Sequence, residues 1–191
     1  MTFSVIGLCG AHGTGKSTII KVVKEAGYPV DESQLSRTAQ TFLGWDSLLP
    51  AQQSEENMWA LQDAILAAMY DRDKQINDAK IITLVDRTPA DVWGYVELWV
   101  SRLAGNVDKE RLRLYKQQCR VMAEKYLKHL IVPIRDEIAF VAEKNRADDR
   151  SRMFHETAVK EFLSSGMLPT AAIQSIHIDY RLTEVVQRMK L

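Results

Sequence analysis

Residues 3–27 read FSVIGLCGAHGTGKSTIIKVVKEAG, and the fold is decided by the way this stretch changes character along its length. An apolar run suited to a buried strand comes first, and then Gly10, Gly13 and Gly15 follow closely, with Ala11, His12 and Thr14 between them. Lys16, Ser17 and Thr18 come next, and the remainder carries apolar residues at helical spacing before stopping at Gly27. The template G-x-x-x-x-G-K-[ST] is satisfied at Gly10, Gly15, Lys16 and Ser17.

The residue types have a physical reason. Phosphate oxygens are met by several backbone N–H groups aimed at one centre, which requires tight turns free of Cβ atoms and a helix N-terminus beyond them. Residues 10–18 supply both, so they read as a cradle for a nucleoside triphosphate. In such a cradle the Lys16 ammonium falls between the β- and γ-phosphates, and the Ser17 hydroxyl is placed to ligate Mg²⁺. A dinucleotide-binding turn needs G-x-G-x-x-G, whereas this loop runs G-x-x-G-x-G and carries a lysine which that turn does not use. A purely structural glycine turn would leave Gly15-Lys16-Ser17 unexplained. His12 reads as a loop residue touching phosphate or solvent, because the sequence identifies no partner that would make it a base.

Length and composition narrow the frame. The 191 residues suit one large domain over the whole chain. Lys plus Arg and Asp plus Glu each number 25, so there is no overall field to collect nucleic acid or a membrane surface, although a local basic patch stays open. Cys9 and Cys119 sit far apart in apolar contexts and read as buried, reduced thiols. The N-terminus lacks the basic region of a secretory signal, and no run approaches the roughly 18 apolar residues of a membrane span. The expected location is the cytoplasm.

Short apolar runs alternate with helical patterns: FSVIGLC, YPVD, KIITLVD, HLIVPI and SIHIDY read as strands. Most are apolar throughout, as in a parallel sheet covered on both faces, which predicts a three-layer α/β sandwich with a central parallel sheet. A long amphipathic helix is predicted from Ser54, through Met58, Leu61, Ile65, Met69 and Ile76. Another begins at TPADVW, with Thr88 as cap, Pro89 in the first turn and Asp91 completing a capping-box-like pattern. A strongly basic helix is predicted over residues 109–128.

Functional groups in such sheets gather beyond the carboxyl ends of the strands. IITLVDR ends in Asp86-Arg87, the apolar-strand-then-Asp pattern that holds Mg²⁺ or polarises an attacking group; Thr88 already serves as the helix cap. YPV is followed by Asp31-Glu32, with Arg37 beyond. A hydroxyl acceptor needs a carboxylate to take its proton, whereas an acceptor phosphate chiefly needs arginines, and this stretch carries both.

GAHGTGKST, VDES with Arg37, and DRTPADVWGY together resemble the nucleoside and nucleotide kinase branch of P-loop proteins. That branch includes thymidylate-kinase-like, deoxynucleoside-monophosphate-kinase-like and ribosylnicotinamide-kinase-like AAA domains. The resemblance implies a P-loop NTPase sandwich with a helical lid, ATP and Mg²⁺ as donor and cofactor, Asp86 and Arg87 as the pair ending the third strand, and a carboxylate after the second. DES stands where many relatives have an acidic residue followed by Pro, so Asp31 and Glu32 both remain candidates for the base.

By position, the segment at about 136–165 is similar to the lid of that family; it supplies Lys144, Arg146, Arg150 and Arg152, of which Arg146 and Arg150 share a face if helical. Guanidinium groups closing over ATP would neutralise charge on the transferring phosphoryl and exclude water. Trp45, on a loop of the acceptor side, could stack on a base, whereas Trp59, Trp93 and Trp99 read as core or interface residues. The basic helix reads as a solvated face or as a track for a nucleic-acid backbone. The resulting expectation is a kinase acting on a deoxynucleoside monophosphate or nucleoside, pyrimidines foremost. A hydroxymethylated pyrimidine in DNA is an alternative acceptor, a P-loop ATPase switch is a second alternative, and a homodimer is left open.

Overall fold

The computed structural model describes residues 3–102, 107–135, 149–175 and 177–189. Strand β1 (Val5–Cys9) leads through the glycine loop into helix α1 (Lys16–Glu25), followed by β2 (Val30–Asp31), α2 (Leu35–Leu43) and a short 3-10 turn (Pro50–Gln52). The chain continues with α3 (Glu55–Ala79), β3 (Thr83–Asp86), α4 (Pro89–Arg102), α5 (Lys109–Ala123), β4 (Lys128–Ile131), α6 (Asp149–Ser165), β5 (Thr170–Ala172) and α7 (Ile178–Met189).

The strands form one parallel sheet in the order β2-β3-β1-β4-β5, with Val5 beside Thr83 and Ile6 beside Lys128. Every residue of β1 is buried, as a central strand covered on both faces requires. Ile6 and Leu8 enter a core with Ile19, Ile20 and Val23 of α1 and Val185 and Met189 of α7. Cys9 enters the opposite core, with Met58, Trp59, Trp93, Tyr115 and Phe162 from α3 to α6. Full burial of an Ile or Leu contributes about 1.5–3 kcal/mol, so the alternation along β1 fixes both layers at once. Three α/β layers with the P-loop architecture result.

The predicted helix from Ser54 is α3, with Ser54 Oγ accepting the Asn57 N–H at 3.1 Å. The predicted fifth strand differs. The sheet uses Thr170–Ala172, whereas most of SIHIDY belongs to the connection and to the first turn of α7. Asp179 in that first turn and apolar Leu182, Val185 and Met189 at three- and four-residue spacing make the segment a helix that covers β1. The basic helix ends at Ala123, and Lys128 already belongs to β4. Among the described residues no helix is long and apolar enough to cross a membrane.

Candidate active site

The glycine loop departs from β1 with positive φ at Gly10 (133°), Gly13 (70°) and Gly15 (87°). At Gly10 a Cβ would also sit 2.4 Å from the Val132 carbonyl oxygen, so the close approach of β4 independently requires glycine. Gly15 is the left-handed N-cap of α1 and contributes no capping side chain. The first amides of α1 are therefore left for an anion at the positive end of the helix.

Lys16 is buried, and its Nζ donates to the carbonyls of Gly10 (2.7 Å) and Ala11 and to Thr14 Oγ1 (3.4 Å). Burial first, and then the neighbouring Arg87, pull its pKa from 10.5 to about 7 against the attraction of Asp91 and Asp86. Ser17 and Thr18 are exposed at the start of α1, and Ser17 borders a cavity of about 600 Å³ between the loop, α2, α3 and α4.

The residue that ties the loop to the rest of the site is Asp91. Its Oδ1 accepts the Gly10 N–H (3.0 Å) and an Arg87 Nη1 hydrogen (3.2 Å), and its Oδ2 accepts Thr88 N–H (2.9 Å) and Oγ1–H (3.1 Å). Burial alone would raise its pKa; Arg87, His155, Lys16 and the Gly10 amide outweigh burial and hold the carboxyl below its ordinary value. The TPAD signal was legible as helix capping, yet the same carboxylate closes onto a loop 81 residues away.

Asp86 ends β3 at the cavity, and its buried Oδ1 has no hydrogen-bond partner among the described residues. Together with the exposed Ser17 hydroxyl it fits a Mg²⁺ ion that takes one or two protein ligands and completes its shell with phosphates and water. No cluster of three or more His, Cys, Asp or Glu suited to a metal occurs among the described residues. Arg87 borders the cavity, but its guanidinium turns to the loop, with Nη1 donating to the Gly10 carbonyl (3.0 Å) and Nη2 to His12 Nδ1 (3.2 Å). His12 is thereby a connected group: Nδ1 accepts from Arg87, which leaves Nε2 to carry the hydrogen towards Tyr95 Oη. Burial pushes the Tyr95 hydroxyl up to about 12 against Arg87.

Of the carboxylates after β2, Glu32 borders the cavity and is ion-paired with Lys24. Asp31 does not reach the cavity; its Oδ1 accepts from the Ser33 N–H (2.9 Å) and hydroxyl, and it borders a separate groove between α2 and α3. Arg37, exposed on α2, borders the cavity. Trp45, half-buried, packs with Ala39, Ala51 and Leu61 beside the 3-10 turn and is not among the residues that line the cavity. Gly44, in the left-handed conformation that ends α2, directs the chain there. Tyr95 and Trp99 supply the cavity's aromatic surface instead. Gln62 on α3 also lines the wall; it is 3% exposed, and its Oε1 has no hydrogen-bond partner among the described residues.

Arg146 and Lys144 lie outside the described residues. Arg150 is exposed on the first turn of α6, whereas Arg152 is buried, with Nε donating to the His12 carbonyl at 2.8 Å and Nη1 to Asp149 at 2.7 Å. Among the described residues, the arginine of this segment that reaches the loop is thus Arg152. Four of the five cations of α5 are engaged within the chain: Arg111 with Asp63 and Trp59, Arg113 with Glu110, Lys116 over Trp93, and Arg120 with Ser165 and Phe162.

A parallel 2-3-1-4-5 sheet, a glycine loop opening into α1 and a buried lysine on that loop define the P-loop NTPase fold. The chain belongs to the AAA_28 family, an AAA domain, which matches residues 5–179. No curated protein sequence matches it. Among solved structures, deoxyadenosine kinase from M. mycoides with bound dATP is similar at a TM-score of 0.68 and 13% identity, over 98% of this chain and 100% of that one. NadR protein in complex with NR is similar at 0.67 and 14%, over 97% of this chain and 51% of that one. Thymidylate kinase from Candida albicans follows at 0.66 and 13%, over 97% of this chain and 90% of that one.

Proposed function

We propose that the protein is a kinase that transfers the γ-phosphoryl group of ATP to a hydroxyl of a nucleoside, with nucleoside monophosphates as the neighbouring acceptor class. One observation carries this reading: a single cavity is lined by His12 and Ser17 of the glycine loop and α1, by Asp86, and by Glu32, Arg37 and Gln62. The family membership and the nucleoside and nucleotide kinases of the same fold support it.

The loop amides and Lys16 position the phosphates, and Arg152, already seated on the loop, adds charge at the lid side. Ser17 and Asp86 would hold Mg²⁺, which when bound offsets negative charge on the transferring group. Glu32 takes the proton of the attacking hydroxyl. Two features favour a hydroxyl acceptor over a phosphate: Glu32 lies on the wall, and three of Arg87's five N–H donors already serve Gly10, Asp91 and His12. The Gln62 amide, with its oxygen unpartnered, reads the edge of the base between Tyr95 and Trp99, and pyrimidine nucleosides are the first candidates. Arg146 and Arg150 remain proposed lid contacts, and the site is cytoplasmic in this reading.

The test is labelled ATP with Mg²⁺ against nucleosides, monophosphates and hydroxymethylated DNA. Label in a nucleoside monophosphate product supports the reading, and it should vanish in Lys16→Ala while the fold persists. Rapid hydrolysis without any acceptor, and no labelled acceptor, would point to an ATPase switch instead.

A further inference from the structure

We propose that Arg72, with Asp73 and Tyr126, is a positioning residue that sets the backbone of the Asp86–Arg87 pair from α3, the helix whose Gln62 and Met69 line the cavity. The proposal rests on the kinase reading, which gives that pair a reaction to serve.

Arg87 adopts φ of 72°, a left-handed conformation that is strained for a residue bearing a Cβ. Such a conformation persists only where the surroundings over-determine it. Its N–H donates to the Leu8 carbonyl at 3.0 Å, and its side chain is held by Gly10 and Asp91. The carbonyls of the pair are held from the other side: Arg72 Nη1 donates to Asp86 O at 3.0 Å and Nη2 reaches Arg87 O at 3.4 Å. One guanidinium thus grips two successive peptide oxygens at the point where the chain leaves the sheet.

That guanidinium is itself fixed. Arg72 is 6% exposed; Nε donates to Asp73 Oδ1 (2.9 Å) and Nη2 to Tyr126 Oη (3.0 Å), while the Tyr126 hydroxyl donates to Asp73 Oδ2 (2.6 Å). Tyr126 is stacked on His129 at 5.1 Å, and a Cβ at Gly7 would come within 2.9 Å of its ring. A bonded triangle of side chains under the β3 terminus therefore fixes the peptide planes on either side of Arg87. Through those planes it fixes the direction in which Asp86 presents its unpartnered Oδ1 and Arg87 its guanidinium. A lysine has the charge but lacks the planar fork to serve two carbonyls, a carboxylate and a phenol together.

Two variants test this: Arg72→Lys keeps the charge opposite Asp73, and Arg72→Leu/Asp73→Leu removes both charges so that neither is stranded in the core. In each, kcat for transfer should fall about 10–100-fold while the ATP dissociation constant stays within about 3-fold of wild type. A crystal structure of either variant should show Arg87 returned to negative φ and its bond to the Gly10 carbonyl broken. Wild-type kcat, or Arg87 still at positive φ in the folded variants, overturns the proposal. So does a parallel loss of ATP affinity, kcat and melting temperature, which would make Arg72 a packing residue only. If the wild-type chain phosphorylates no acceptor, the kinase reading fails, while the backbone angle at Arg87 still decides the positioning claim.

Discussion

Lys16 should make the stability of the nucleotide-free chain depend on pH in an unusual direction. Its pKa is about 7 when folded, against 10.5 for an ordinary lysine, with burial the main cause and Arg87 the next. Between those values the unfolded chain binds the proton that the folded chain has released, so stability rises with pH across the window. The slope approaches about 1.4 kcal/mol per pH unit, which integrates to about 3 kcal/mol between about pH 7 and pH 9.5. Lys16→Met has no such group, so the stability of wild type minus that of the variant isolates the term from every other titration. Equilibrium urea unfolding of both proteins, in nucleotide-free buffer at several pH values across that range, reads it directly. The difference should climb in favour of wild type as pH rises. Profiles parallel to within about 0.5 kcal/mol would mean that the ammonium is solvated, and the account of a buried Lys16 on the loop carbonyls would be refuted. The same physics predicts proton uptake when ATP binds near pH 8, because phosphate charge favours the ammonium; calorimetry in buffers of different ionisation heat measures it.

Three further outcomes are expected. Glu32→Gln should lower kcat by about 10²–10⁴-fold with ATP affinity unchanged, read by steady-state transfer and by calorimetry. Gln62→Leu should raise KM for the preferred nucleoside and flatten discrimination among bases by about 1–3 kcal/mol, read as kcat/KM across a panel. Gly10→Ala should abolish ATP binding and lower the melting temperature, because a Cβ there meets Val132 O at 2.4 Å in a conformation with φ of 133°; unaltered binding would contradict the loop geometry.

Local signals carried the first half of the sheet well. The glycine loop, the Ser54-capped helix and the Asp86-Arg87 strand end were all readable because each is written in neighbouring residues. The fifth strand was missed because TAA offers little apolar signal, while the isoleucines of SIHIDY mimic strand alternation although most of that stretch belongs to a connection and a helix start. The side-chain connections around the glycine loop were not legible. Asp91 and Gly10 are 81 residues apart and Arg152 and His12 are 140 apart, so no spacing rule joins them. Trp99 packs against the core as its helical spacing suggested and also borders the cavity, which no local pattern could show, because which indole faces the cavity depends on how α2, α3 and α4 pack against one another.

The position of β1 at the centre of the sheet has a bearing on biosynthesis. It is made before both of its neighbours, β3 and β4, with which Val5 and Ile6 pair at Thr83 and Lys128. Its hydrogen-bonding edges must therefore wait for much of the chain to emerge from the ribosome, and pairing over such sequence distances slows folding. A translational pause shortly before Lys128 would leave the β4-facing edge of this apolar strand open next to the half-built glycine loop, making that interval the one in which a nascent chain most needs a chaperone.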